Sequence, residues 1–361
     1  MRESVRRAGE RVFVGFPGHE ATGDLKVLIR DYAVGGVILF ARNVDSPEQV
    51  AEVVREMQGI ARDAGHGLPL LVGVDQEGGR VARLKEPWTR WPPLRTLGAM
   101  GSADHARRFG AALAAELRAC GISLDCAPVV DVNTNKENPV IGDRSLGDDP
   151  DLVGRLGAAI IEGLQGGGCA ASAKHFPGHG DTSIDSHLDL PVVDHPRSRL
   201  EDVEWRPFRQ AIAAGVATVM TAHVVVREID DRMPSTLSRP VLEILRKELG
   251  FEGVILSDDL EMKAVAARFP IGDAARMAAE AGCDAVLVCE HPDAQVAALE
   301  ALIRLLEGDE LPLAERDGPA LRLKALKERF LLPYKDPSPE AARAAAGTHE
   351  SLALAREIAG E

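Results

Sequence analysis

The sequence lacks long hydrophobic runs and is short of positive charge. No stretch reaches the roughly 18 consecutive apolar residues that a membrane-spanning helix needs. Its 42 Lys and Arg residues face 56 Asp and Glu residues, which gives a formal net charge of −14. Nucleic acids and anionic membranes are bound through clustered positive charge, so neither is expected as a partner. Hydrophobic residues make up 45% and charged residues 27%, the balance of a soluble globular protein.

Cysteine is also scarce. There are five cysteines, an odd number, and no Cys-x-x-Cys pair occurs among them. Each stands beside apolar residues, a pattern typical of buried thiols in a reducing compartment and not of a disulfide framework. The first ten residues are charged throughout and contain no apolar segment like that of a secretory signal. The sequence therefore predicts a cytoplasmic protein.

Short apolar runs alternate with longer amphipathic segments about eight times along the chain. Most runs are continuous and rich in β-branched residues, as expected for parallel strands buried on both faces. The predicted strands are residues 11–16, 36–40, 70–74, 122–128, 170–174, 217–221, 253–257 and 285–289. Repeated strand–helix units of this kind predict an α/β fold, a (β/α)8 TIM barrel. A doubly wound open sheet is the alternative that the periodicity leaves open.

The segments between these runs have helical spacing. Predicted helices are residues 46–64, 104–119, 152–163, 200–214, 239–249 and 273–281. Two further stretches, residues 312–331 and 337–361, are rich in Ala, Glu and Arg, and we expect helices packed on the outside of the barrel or at an oligomer contact. No linker divides the chain. We therefore expect a single domain of residues 1–361, with the barrel at about 11–310 and a helical extension at about 311–361.

In a TIM barrel the functional residues follow the carboxyl ends of the strands. The third predicted strand runs into Asp75, Glu77, Arg80 and Arg83 around a glycine pair. Carboxylates and guanidinium groups so placed can bind sugar hydroxyls, although a salt-bridged turn explains them equally well. After the fourth strand, Arg144 follows Asp143, and the two could simply pair across a turn.

The loop after the fifth strand is the most informative segment. Residues 174–191 hold three of the ten histidines together with Lys174 and several aspartates, with no helical or strand period. A buried core cannot hold such a cluster without a partner for each group, which favours a catalytic loop. Within it, Asp185 stands two residues before His187 and can orient the imidazole and raise its basicity. Histidine and aspartate are also zinc ligands, so a metal site is the rival interpretation.

The seventh predicted strand ends in a carboxylate pair, Asp258 and Asp259. Asp258 stands where a barrel strand delivers a nucleophile or base. We expect Asp259 to cap the following helix. A doubled cap without chemistry is the alternative.

The segment from Lys174 to Thr182, followed by Asp185-Ser186-His187, resembles the signature of glycoside hydrolase family 3. It is most similar to the single-domain β-N-acetylglucosaminidases of bacterial peptidoglycan recycling. Residues 35–43, 75–83, 138–145 and 257–262 fit the same subgroup, in the same order. The likeness covers roughly residues 11–305.

This resemblance implies a retaining, exo-acting β-N-acetylglucosaminidase on a TIM barrel. The nucleophile would be Asp258, which forms a covalent glycosyl-enzyme, and the acid/base would be His187, assisted by Asp185. The residues that hold the sugar would be Asp75, Arg83, Arg144, Lys174 and His175. His179, Asp181 and His223 are nearby candidates without a role.

No cofactor or metal is expected. The expected partner is a small carbohydrate, a GlcNAc-containing muropeptide, with no nucleic acid or membrane, and we expect a monomer or homodimer. A histidine acid/base repels anions less than a carboxylate does, so phosphate could replace water as the acceptor. The other open alternatives are a β-glucosidase or β-xylosidase on the same barrel, a metal-dependent hydrolase, and an inactive sugar-binding protein.

Overall fold

Eight parallel strands close into a barrel in the computed structural model, which describes residues 1–183, 186, 190–308 and 312–361. The strands are β1 (Val12–Val14), β2 (Gly36–Leu39), β3 (Leu71–Val74), β4 (Leu124–Asp125), β5 (Ala170–Phe176), β6 (Thr218–Thr221), β7 (Val254–Asp259) and β8 (Ala285–Val288). Each strand pairs with its successor, and β8 pairs with β1 through Val12 and Val286. The predicted TIM barrel is confirmed, and the open-sheet alternative is wrong.

Helices connect the strands on the outside of the barrel. The α-helices are Glu3–Gly9, Gly23–Tyr32, Pro47–Asp63, Leu94–Met100, Ala103–Ala119, Pro150–Gly166, Arg197–Arg199, Arg206–Ala213, Arg239–Glu243, Lys263–Ala266, Ile271–Ala281, Pro292–Glu307, Leu313–Leu331, Pro339–Ala345 and His349–Ala359. Short 3-10 segments are Ala41–Asn43, Gly142–Arg144 and Ser235–Leu237, and π-helical turns are Leu200–Glu204 and Ile244–Glu248. Every predicted helix overlaps one of these elements. Among the described helices, none is both long and apolar enough to cross a membrane.

Among the strands that end at different residues from those predicted, three differences place the site. Only Leu124–Asp125 of the fourth predicted strand pairs as a strand; its last residue, Pro128, has no N–H to donate to a ladder. In contrast, β5 continues to Phe176 and β7 to Asp259. Lys174, His175 and Asp258 therefore lie on the strands themselves, where the backbone is most rigid.

The helix Leu313–Leu331 closes the amino-terminal end of the barrel, contrary to the expectation that it packs on the outside. Its Leu323 and Phe330 belong to the same apolar cluster as barrel-interior residues such as Phe13 and Leu71. Arg322 forms an ion pair at 2.6 Å with Asp284, the residue that precedes β8. An amphipathic pattern shows that one helix face is buried but not what covers it, so this position could not be predicted.

The last two helices do pack outside the barrel, as expected. Pro339–Ala345 contacts the helices Pro47–Asp63 and Ala103–Ala119, and His349–Ala359 contacts Leu94–Met100 and Ala103–Ala119. The five cysteines are free and buried, which confirms the prediction of buried thiols.

Leu323 is fully buried where this helix closes the amino-terminal end of the barrel. Leu323→Ala should lower the free energy of unfolding by about 2–5 kcal/mol, because the truncation leaves a cavity among packed apolar groups. Leu321 on the same helix is 65% exposed, so Leu321→Ala is the matched control and should stay within about 0.5 kcal/mol of wild type. Chemical denaturation measures both. Equal losses in the two variants would show that this helix does not close the barrel through Leu323.

Candidate active site

A cavity of about 520 Å³ opens at the carboxyl ends of the barrel strands. This size lies within the range of about 300–1,000 Å³ that is typical of small-molecule sites. Its walls come from residues that end or follow most of the strands, from Phe40 after β2 to Glu290 after β8. The barrel interior below is packed with apolar side chains such as Leu124 and Leu256. The cavity is therefore open to solvent at this end and closed beneath.

One wall carries a chain of buried ion pairs centred on Lys174. Its Nζ lies 2.8 Å from Oδ1 of Asp75 and 2.6 Å from Oε1 of Glu77. Asp75 also accepts a hydrogen bond of 3.0 Å from Arg83. Glu77 accepts two from Arg144, at 2.7 and 2.8 Å. Three cations thus hold two carboxylates in one network that joins the loops after β3 and β4 to strand β5.

The network fixes the charges of its members. Burial disfavours the ionised carboxyl groups, but the adjacent Lys174 and Arg83 cations outweigh it and hold the pKa of Asp75 well below its ordinary value. The pKa of Glu77 falls to about 2, because Arg144 and Lys174 offset its burial. Burial likewise opposes the charge of Lys174, yet the two carboxylates raise its pKa above the ordinary value. All these groups are ionised at neutral pH.

A tight hairpin after β3 presents Asp75 and Glu77 to the cavity. Gln76–Gly78 pairs with Val81–Ala82 in antiparallel fashion. The turn contains Gly78 and Gly79, both at positive φ, and a Cβ on Gly79 would lie 2.7 Å from Pro93. The glycine pair allows this close backbone approach, which fixes the two carboxylates between which Lys174 lies.

Asp131, after β4, organises the histidines. Its Oδ2 lies 2.7 Å from Nδ1 of His175, and its Oδ1 accepts a 2.7 Å hydrogen bond from the backbone N–H of His179. The Asp131 carboxylate can only accept a hydrogen bond, so Nδ1 of His175 carries a proton and donates it. The other ring nitrogen, Nε2, lies 3.4 Å from the Arg144 guanidinium. His179 contacts Thr182 through Nδ1 and Ser186 through Nε2, at 2.7 and 3.2 Å. These bonds connect β4 to the loop after β5.

The opposite wall of the cavity is acidic. Asp258 lies at the end of β7, and its Oδ1 accepts a 2.8 Å hydrogen bond from the backbone N–H of Asp259. Burial, together with the charges of Glu261 and Asp258, raises the pKa of Asp259 to about 7. The prediction that Asp259 caps the next helix is wrong: that helix begins after Met262, and the Asp259 carboxylate instead accepts from the N–H of Glu261. Asp259 is a half-buried wall residue because β7 extends through it.

Six of the eight predicted site residues line this one cavity: Asp75, Arg83, Arg144, Lys174, His175 and Asp258. The other two, Asp185 and His187, lie outside the described residues. Ser186, between them in sequence, lines the cavity, and its carbonyl accepts a 3.2 Å hydrogen bond from the N–H of Ala264.

Partners within the site differ from the simplest sequence interpretation. Arg144 pairs with Glu77 and not with its neighbour Asp143, which instead pairs with Arg80 at 3.0 Å. The alternative of a turn pair between Asp143 and Arg144 is therefore wrong. The role of Asp131 is not predicted from the sequence; its place three residues after the fourth predicted strand is the signal that could have indicated it.

The histidines named in the metal interpretation are engaged in other contacts. His175 is bonded to Asp131, and His179 to Thr182 and Ser186. Within the described ranges, no three His, Cys, Asp or Glu side chains are arranged to hold a metal ion.

The chain matches the profile of the glycosyl hydrolase family 3 N-terminal domain over residues 11–325. It belongs to glycoside hydrolase family 3. A relative from Alkalilimnicola ehrlichii, named a beta-hexosaminidase, is 39% identical over 345 residues, which cover 91% of this chain and 97% of the relative.

Two solved structures of the family are similar throughout. A family 3 β-N-acetylglucosaminidase from Paenibacillus superposes with a TM-score of 0.91 at 41% identity, covering 99% of this chain and 68% of that one. NagZ from Neisseria gonorrhoeae, solved in complex with N-trifluoroacetyl-D-glucosamine, gives 0.78 at 35% identity, with 97% of each chain covered. The family resemblance expected from the motifs is confirmed, and the chain is a glycoside hydrolase.

The buried imidazole of His179 makes stability depend on pH. Burial, with His175 close by, lowers the pKa of His179 to about 4, whereas an unfolded histidine titrates near 6.5. Between these values the unfolded chain binds a proton that the folded chain does not, so the folded state loses stability as pH falls through this window.

We expect the wild type to lose about 3 kcal/mol more unfolding free energy than His179→Gln between pH 7.5 and pH 4. Urea denaturation at a series of pH values measures this difference. His349→Gln, which removes an exposed imidazole from the last helix, is the matched control. If the wild type and His179→Gln keep parallel pH profiles, His179 is not buried as a neutral group.

Proposed function

We propose that this protein is a retaining, exo-acting β-N-acetylglucosaminidase that removes terminal GlcNAc from peptidoglycan fragments. The observation that carries the proposal is that the cavity has two chemically different walls. A carboxylate at the end of β7 faces the buried cation–carboxylate network around Lys174 in a space of small-molecule size. The names of the relatives, beta-hexosaminidase and β-N-acetylglucosaminidase, support the N-acetylhexosamine part of the proposal.

In the first step, a carboxylate oxygen of Asp258 attacks the anomeric carbon, and the bond from that carbon to the leaving oxygen breaks. His187, oriented by Asp185, gives its proton to the leaving oxygen. In the second step, water attacks the anomeric carbon, its proton passes to His187, and the ester bond to Asp258 breaks. Two inversions at one carbon retain the β configuration. The position of Ser186 on the cavity wall supports this role for its two neighbours.

The network on the other wall is suited to holding the sugar. Sugar hydroxyl groups both donate and accept hydrogen bonds, and ionised partners bind them most strongly. Asp75 and Arg83 keep about a fifth and a quarter of their side chains exposed, whereas Lys174 and Glu77 are almost fully buried. We therefore assign hydroxyl binding to Asp75 and Arg83, with Lys174, Arg144 and His175 completing the sugar site. Because these charges are already fixed, little reorganisation is needed on binding.

The exo part of the proposal rests on the relatives named beta-hexosaminidase and β-N-acetylglucosaminidase. The free thiols of all five cysteines support a reducing compartment such as the cytoplasm as the place of action.

Replacing Asp258 with Asn should reduce kcat on an aryl N-acetyl-β-glucosaminide by about 10³-fold or more, because the amide cannot serve as the nucleophile. The assay compares this substrate with the matching β-glucoside at pH 7, with EDTA present. Asp293→Asn, an exposed aspartate on the helix after β8, is the control and should keep kcat within about twofold.

Each other outcome overturns a defined part of the proposal. Turnover of the glucoside alone would refute the substrate, and undiminished activity of Asp258→Asn would refute the nucleophile. Loss of wild-type activity in EDTA would restore the metal-dependent alternative. Formation of sugar phosphate when inorganic phosphate is added would replace hydrolysis with phosphorolysis.

A further inference from the structure

His223 is a buried imidazole next to the site to which the mechanism above gives no role. It lies two residues after β6 and is fully buried. Its Nε2 lies 2.9 Å from the backbone carbonyl oxygen of Asp259, and its Nδ1 lies 2.8 Å from Oγ1 of Thr236. The side chain therefore connects the segment after β6 to the end of β7, one residue beyond Asp258.

The contacts of Thr236 define how His223 is held. Thr236 Oγ1 lies 2.8 Å from Oγ1 of Thr221 and 3.2 Å from the carbonyl of Ala222, both at the end of β6. A carbonyl can only accept, so Nε2 of His223 must carry a proton for Asp259. Nδ1 of His223, at 2.8 Å, is closer to the Thr236 hydroxyl than the Ala222 carbonyl at 3.2 Å, and Nδ1 of a neutral imidazole can accept that hydrogen bond. Thr221 can then donate to Thr236, which completes a consistent chain of donors from β6 to β7.

The regular ladder between β6 and β7 runs from the pair Thr218–Val254 to the pair Met220–Leu256. The β7–β8 register shifts between Leu256 and Asp259. The last residues of β7 thus continue past its regular pairing with β6. The bond from His223 to Asp259 ties these two chain segments together beyond that point.

Asp259 is held at each of its polar backbone groups. Its N–H donates to Oδ1 of Asp258, and its carbonyl accepts from His223. The next N–H, that of Leu260, donates to Leu287 on β8 at 3.0 Å. The same carbonyl also accepts a 3.1 Å hydrogen bond from the N–H of Met262, within the turn that follows. Loss of the His223 bond would leave only this local turn bond and would remove the tie from the segment after β6, which allows the neighbouring carboxylate to move.

We propose that His223 is a positioning residue that holds the end of β7 so that the Asp258 carboxylate meets the anomeric carbon. This inference rests on the proposed function, in which Asp258 is the nucleophile. A displacement of about 1 Å in a reacting group can cost about 10²-fold in rate. The effect is expected in the attack step and not in binding of the sugar, because the sugar-binding network lies on the other wall.

The test compares His223→Gln with His223→Asn. The Gln amide nitrogen reaches the position of imidazole Nε2 and can still donate to Asp259, whereas the shorter Asn amide cannot. The substrate is 2,4-dinitrophenyl N-acetyl-β-glucosaminide, whose leaving group departs without a proton, so kcat/KM reports attack by Asp258. Competitive inhibition by free N-acetylglucosamine reports binding of the sugar alone.

We expect His223→Asn to lower kcat/KM by about 10–100-fold while the inhibition constant changes less than about threefold. His223→Gln should recover most of the loss. Equal losses in both variants, no loss in either, or a parallel rise in the inhibition constant would overturn the proposal. If His223→Asn does not fold, the same assay is applied to Thr236→Val and Thr236→Ser. We expect Thr236→Val, which lacks the hydroxyl, to lose kcat/KM and Thr236→Ser to keep it. Equal kcat/KM values in the two variants would overturn the proposal.

The outcomes also separate this inference from the proposed function. If the wild type does not turn over the substrate, or if Asp258→Asn does so at the wild-type rate, the proposed function fails. If turnover depends on Asp258 but the His223 and Thr236 pairs behave like wild type, only the positioning role fails.

Discussion

The buried ammonium group of Lys174 is the constraint on which the rest of the site depends. A charge that is 98% removed from solvent is tolerated only when carboxylates surround it, because its lost hydration must be replaced. Asp75 and Glu77 supply this replacement, and Glu77 in turn requires Arg144. Removing Glu77, which Lys174 and Arg144 share, would leave the nearly buried Arg144 cation without its carboxylate at a cost of about 3–5 kcal/mol. The loops after β3 and β4 are therefore held to β5, and the wall that we propose binds the sugar is already formed without it.

The opposite wall of the cavity carries acidic side chains, Asp258, Asp259 and Glu261. Burial, together with the nearby charges of Glu261 and Asp258, raises the pKa of Asp259. Asp258 is partly exposed to the cavity, and its carboxylate accepts a hydrogen bond from a backbone N–H, which leaves it accessible to an incoming carbon. In the proposed mechanism the fixed cation–carboxylate pairs on one wall bind the sugar, and Asp258 on the other wall reacts with it. The β6 segment, through His223, ties the reactive side to the barrel where the regular strand pairing ends.

Much of this architecture could be predicted from the sequence. Eight continuous apolar runs indicate parallel strands buried on both faces, and their repetition with helical segments favoured a barrel over an open sheet. Polar residues at the strand ends, such as Lys174 and Asp258, mark the cavity. Which side chains form ion pairs and hydrogen bonds with one another could not be predicted. Glu77 pairs with a residue 67 positions away, and Asp259 is a wall residue because β7 extends further than its apolar run. The place of the helix Leu313–Leu331 at the barrel floor depends equally on contacts distant in sequence.

The central claim is that Asp258 attacks the sugar while the Lys174 network holds it. The most direct measurement is peptide mapping by mass spectrometry after incubation with a 5-fluoro analogue of N-acetyl-β-glucosaminyl fluoride, whose glycosyl-enzyme hydrolyses slowly. We expect one sugar on the peptide that contains Asp258, with fragmentation placing it on that residue. A sugar on Asp259 or Glu261, or no adduct while the analogue is still turned over, would contradict the claim.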